Sequence, residues 1–229
     1  MSDKRIIYVG DSFCLDEYHW FSHINIVKKY FSDCSIEKYS EGGASWFYSR
    51  NKFLEGTRDT FLTDRDSVKA LIFFHTTAYR LNNSENIIQY QEQKKIMLSY
   101  IDYKFQEWAQ EQWFREIARE YADIPTIHYN NFKSNTPEIF NLLPGMVFTT
   151  PLIHISIGEL TGTDNEILAH SEKDNRANHF NEENNKIFGQ HTIDAINNYT
   201  PGKFEIDILK FYRINCNAHR HPLPGFGTK

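Results

Sequence analysis

Apolar residues along this chain come in short, dense blocks, each closed by turn-forming or polar residues, and the blocks alternate with longer stretches of mixed character. Residues 6–9 (IIYV) run into Gly10-Asp11-Ser12, and residues 69–74 (KALIFF) run into His75-Thr76-Thr77. Further blocks at 126–129 (TIHY) and 145–148 (GMVF), with a more polar one at 35–39 (SIEKY), complete five candidate strands. Unbroken apolar runs of this length suit strands covered on both faces. The stretches between them have helical character and supply crossover connections, so the order reads β-α-β-α. It predicts a three-layer α/β/α sandwich around a five-stranded parallel sheet.

The longest intervening stretch, 85–121, is long enough for two helices, and Trp108, Trp113, Phe114 and Ile117 recur in it at helical spacings that predict a packing face. Residues 181–196 predict a terminal helix that packs back on the sheet through Ile187, Phe188, Ile193, Ala195 and Ile196. From Pro201 onward the chain contains Pro222, Pro224, Gly225 and Gly227. Residues 1–200 therefore read as one domain and 201–229 as a C-terminal extension, a tail or an arm for oligomer or assembly contacts.

With 229 residues, 40% of them hydrophobic, and 18 Phe and 13 Tyr, the chain has ample material for one core. A net charge of -5 with no basic stretch argues against a nucleic-acid partner. No apolar run approaches the roughly 20 residues of a membrane helix, and no signal peptide is legible, so a cytoplasmic protein is expected. Three cysteines without close pairing fit a reducing compartment. Cys14, two residues past Ser12, reads as a small buried hydrophobe.

Ligands of open parallel sheets gather outside the carboxyl ends of the strands, and Ser12 follows the first strand directly. A helix starting there would turn free amides toward negative charge. The same residues are also ordinary turn and cap chemistry. Glu41-Gly42-Gly43-Ala44-Ser45 comes to the same edge after the second strand, where Gly42 and Gly43 are candidate amide donors or simply turn glycines. Asp174-Asn175-Arg176-Ala177-Asn178-His179 sets a carboxylate five residues before a histidine, ahead of the terminal helix. Serine, carboxylate and imidazole in that order can form a nucleophile, an orienting acid and a base. A rival set of ligands for a metal-dependent hydrolase is His75, His128, His179 and Asp11, although no short metal-binding spacing supports it.

IIYVGDSFC resembles the first block of the SGNH, or GDSL-like, hydrolases. EGGAS resembles their second, glycine-bearing block, and DNRANHF followed by NEENNKIFG resembles the histidine block before their final helix. The resemblance implies a flavodoxin-like sheet, Ser12 as nucleophile, His179 as base, and the Ser12 and Gly43 amides as oxyanion donors. It implies a small ester or acetylated glycan as substrate, with no cofactor. GDSFC, His19-Trp20, GG-S and R-x-N-H together are also similar to divergent SGNH-like proteins of marine tailed phages, which implies a phage source and a place in the host cytoplasm or the virion. Two departures stand out. The family's third block reads Gly-x-Asn-Asp, whereas this chain has His75-Thr76-Thr77-Ala78, with Thr77 at the place of the donor asparagine. The family's acid lies three residues before the histidine, where this chain has Arg176, which leaves Asp174 as the nearby carboxylate. Loss of the asparagine keeps a second reading open, a non-catalytic SGNH-like binding or virion structural module.

Overall fold

The computed structural model describes residues 4–14, 22–41, 44–57, 64–76, 78, 103–131, 137–152, 180 and 182–211. In chain order they form β1 (Lys4–Gly10), α1 (His23–Tyr30), β2 (Cys34–Ser40), α2 (Trp46–Thr57), β3 (Val68–His75), α3 (Tyr103–Glu120), β4 (Thr126–Asn130), β5 (Met146–Phe148), α4 (Glu182–Asn197) and β6 (Gly202–Phe204). The strands make one sheet in the order β2-β1-β3-β4-β5-β6, with every neighbouring pair parallel. This is the flavodoxin-like order with one strand added.

Side chains alternate across the sheet and divide the core in two. Ile6, Tyr8, Ile72, Phe74, Ile127, Tyr129 and Phe148 face α1 and α4, which pack on one another through Ile24, Val27, Phe188 and Ile193. Ile7, Val9, Leu71, Phe73 and Val147 face α2 and α3 and meet Phe53, Trp113, Phe114 and Ile117. Burial on both sides is why β1 and β3 carry unbroken apolar runs. The Arg50 guanidinium joins α2 to α3 by bonding both carboxylate oxygens of Glu116, at 2.9 and 3.0 Å, and also covers the Trp113 ring. No helix among the described residues is long and apolar enough to cross a membrane.

Two expectations are corrected. The sheet has six strands, because Gly202–Phe204 pairs with Met146–Phe148 at the start of the extension. Beyond it, Ile206 and Phe211 are buried in the core under α1 and α4. All three residues of β6 are exposed and carry no apolar run, so only the pairing defines the strand. Trp108 is 54% exposed, while Trp113, Phe114 and Ile117 are buried. Five residues from Trp108 to Trp113 turn about 140° around a helix, enough to leave the packing face.

Candidate active site

Register sets the edge on which the chemistry would lie. Gly10 stands opposite Ser40, Val9 opposite Phe73, and His75 opposite Asn130, so the carboxyl ends of β1 to β4 line up together. The chain leaves β1 through Gly10, where an added Cβ would come within 2.7 Å of the Phe74 Cβ and 2.9 Å of the Cys14 sulfur. Only glycine lets the turn lie this close to β3. The Gly10 carbonyl accepts a 2.7 Å bond from the Ser49 hydroxyl of α2.

Ser12–Cys14 form one turn of 3-10 helix, closed by the Cys14 amide donating to the Asp11 carbonyl at 2.9 Å. The sequence pattern places Ser12 at the start of a helix, and the element that starts there is this 3-10 turn. A 3-10 turn of three residues has little dipole, and the hydrogen bonds of the turn itself fix its geometry. Asp11 is fully buried. Its Oδ1 accepts the Phe13 amide at 3.1 Å and the Asn131 side-chain amide at 2.8 Å. The Asn131 backbone amide donates in turn to the His75 carbonyl at 2.8 Å, so the ends of β3 and β4 brace the turn after β1. Cys14 is fully buried, and burial, reinforced by the Asp11 charge, raises its thiol pKa well above the ordinary value. It stays a protonated, inert thiol.

The segment after β3 is held on both sides of residue 77. Gln110 of α3 donates to the Thr76 carbonyl at 2.8 Å, and the Trp46 indole of α2 donates to the Ala78 carbonyl at 3.3 Å. The turn after β2 is closed by the Ala44 amide on the Glu41 carbonyl at 3.1 Å. On the far side of the site, Phe180 comes against Phe13 edge to face, with ring centroids 5.5 Å apart. Ser12 is described by its backbone, and Gly42, Gly43, Thr77, Asp174, His179 and Cys216 lie outside the described residues. The immediate chain neighbours of Ser12 and His179 are thus in contact.

His75 and His128 bond each other, His75 Nε2 to His128 Nδ1 at 3.0 Å, with nearly parallel rings between Phe73, Phe114 and Phe140. Burial pushes His75 down to about 3. It pushes His128 well below its ordinary value, helped by His75 and opposed by the Pro144 carbonyl. Both imidazoles are neutral. Among the described residues no three His, Cys, Asp or Glu groups come together as a metal site.

Sequence reasoning missed Asn131, His23, Asn185, Ser49 and Gln110, the polar side chains that hold this edge. Their signal is weak: single polar residues whose partners lie up to 162 positions away.

No family model matches the chain, and no curated protein matches it. Among solved structures, the lipase/acylhydrolase from Enterococcus faecalis is similar, with a TM-score of 0.42 and 14% identity, over 88% of this chain and 100% of that one.

Proposed function

We propose that the chain is a serine hydrolase of SGNH type that cleaves an ester, with an O-acetyl group on a glycan as the substrate class. Ser12 Oγ attacks the acyl carbonyl while His179 takes its proton. The tetrahedral oxyanion is held by the Ser12 and Gly43 amides and by Thr77. His179 returns the proton to the departing alcohol, giving an acyl-enzyme, and then activates the water that releases the acid and frees Ser12. Asp174 holds the His179 imidazole in its tautomer.

The contact of Phe13 with Phe180 at 5.5 Å carries this reading. Phe13 and Phe180, the neighbours of the proposed nucleophile and base and 167 positions apart in sequence, are packed edge to face, which supports a shared site. The braced turn at Asp11 and the two tied carbonyls around residue 77 support it further. One sequence observation favours the non-catalytic module instead: a threonine stands where the donor asparagine would be, and losing such a donor costs about 10²–10³ in rate.

A fluorophosphonate probe separates the two. The hydrolase reading expects labelling at Ser12 that Ser12→Ala abolishes, with His179→Ala lowering labelling and short-chain ester hydrolysis together by about 10³-fold. Asp174→Asn is expected to lower both by less. Folded protein that neither labels at Ser12 nor cleaves any ester of a broad panel above the Ser12→Ala background would make the chain a binding or structural module.

A further inference from the structure

We infer that His23 and Asn185 are positioning residues that clamp the segment after Ser12 to the segment after His179; the inference rests on the hydrolase reading. His23 opens α1, where a helical N–H has no acceptor within its own helix. Its amide donates instead to Asn185 Oδ1 of α4 at 3.0 Å. Asn185 Nδ2 donates onward to the Phe180 carbonyl at 2.9 Å. At the other end, His23 Nε2 lies 2.7 Å from the Phe13 carbonyl. A carbonyl only accepts, so this nitrogen carries the proton, and both Asn185 bonds demand the same orientation of its amide.

The relay therefore runs unbroken from residue 13 to residue 180. His23, Asn185, Phe13 and Phe180 are all buried, at 3, 7, 3 and 2% exposure. The rings around them are in mutual contact: His23 meets Phe188 edge to face at 5.0 Å, and Phe188 meets Phe180 at 4.9 Å. Apolar contact alone would bring Phe13 and Phe180 together but would let them slide. Directional bonds to both carbonyls, made in a low-dielectric shell, fix their separation and angle. A nucleophile and base need that, because a proton moves only across hydrogen-bond distance and about 1 Å of misplacement can cost about 10²-fold.

The test measures fluorophosphonate labelling of Ser12 in the full chain, as a rate per folded molecule across pH. His23→Phe keeps an aromatic ring and removes the side-chain donor; Asn185→Leu keeps the branched shape and removes both bonds; His23→Gln restores a side-chain donor. Expected are losses of about 10–100-fold in His23→Phe and Asn185→Leu, with the imidazole-dependent rise of rate with pH flattened, and recovery to within about threefold in His23→Gln. In a His179→Ala background, His23→Phe should cost nothing more, because a clamp acts only through the base it positions. A merely structural pair would lower melting temperature yet leave the rate per folded molecule and its pH profile unchanged, and that result would overturn the inference. Wild-type protein that labels no better than Ser12→Ala would instead overturn the hydrolase reading beneath it.

Discussion

A buried carboxylate needs donors, and Asp11 shows how few residues settle the geometry beside Ser12. Its Oδ1 takes one donor from its own turn and one from β4's exit, and Asn131 supplies the second from full burial. Asn131→Ala is expected to cost about 1–3 kcal/mol in urea unfolding, because a buried acceptor loses its partner. A cost within a few tenths of a kcal/mol would mean that Asp11 is satisfied elsewhere. The neutral pair His75 and His128 makes a different prediction. Both have folded pKa values below the unfolded value near 6.5, so between those values the unfolded chain binds more protons. Stability is complete above pH 6.5 and falls as pH drops below it, by up to about 1.4 kcal/mol per pH unit for each imidazole. His191, held down to about 4 by burial, adds in the same direction. Urea midpoints followed from pH 7 to 5 should show this slope, and His75→Leu combined with His128→Leu should reduce it. An unchanged slope in that double variant would place the protons elsewhere.

Elements were legible where burial on both faces writes itself into composition. IIYV and KALIFF lie inside β1 and β3, and the helix that the pattern predicts over 181–196 is observed as Glu182–Asn197. β6 was not legible, since Gly-Lys-Phe is polar, short and exposed and exists only by pairing with β5. The turn after β1 could be placed but not its bracing: Gly10-Asp11-Ser12 signals a turn, while the Asp11 carboxylate that caps it is held by Asn131, 120 positions away. Gly10 itself has a reason visible only in three dimensions. Gly10→Ala is expected to push the turn off β3, costing about 1–3 kcal/mol by overpacking against Phe74 and Cys14. Under the hydrolase reading it should also lower Ser12 labelling per folded molecule, whereas a substitution that cost stability alone would show that the turn moves as a rigid piece.

At the scale of the whole molecule, the sheet gathers the ends of β1 to β4 at one edge, and α1 and α4, packed on one face, bring His23 and Asn185 to the Phe13 and Phe180 carbonyls beside it. Contact between the segments beside Ser12 and His179 follows from motif order under the hydrolase reading; the hydrogen bonds of His23 and Asn185 that join them do not, because those residues are ordinary until the fold makes them neighbours. The same logic extends to residues after Pro201. β6 shields the β5 edge, with the Thr149 amide on the Phe204 carbonyl at 2.9 Å and the Gly202 amide on the Gly145 carbonyl at 2.8 Å. The Ile206 amide is tied to the Thr150 hydroxyl at 2.9 Å, and Ile206 and Phe211 fill the core that also contains Phe180 and Phe188. Ending the chain at Thr200 would therefore remove the buried side chains of Ile206 and Phe211, each contributing about 1.5–3 kcal/mol, and leave β5 as an open edge. The expected outcome is a lower melting temperature together with light scattering that grows with protein concentration, as unpaired strand edges meet. A truncated chain that melts like the full one and stays monomeric would show that residues 201–229 add only contact surface and nothing to the fold that carries the site.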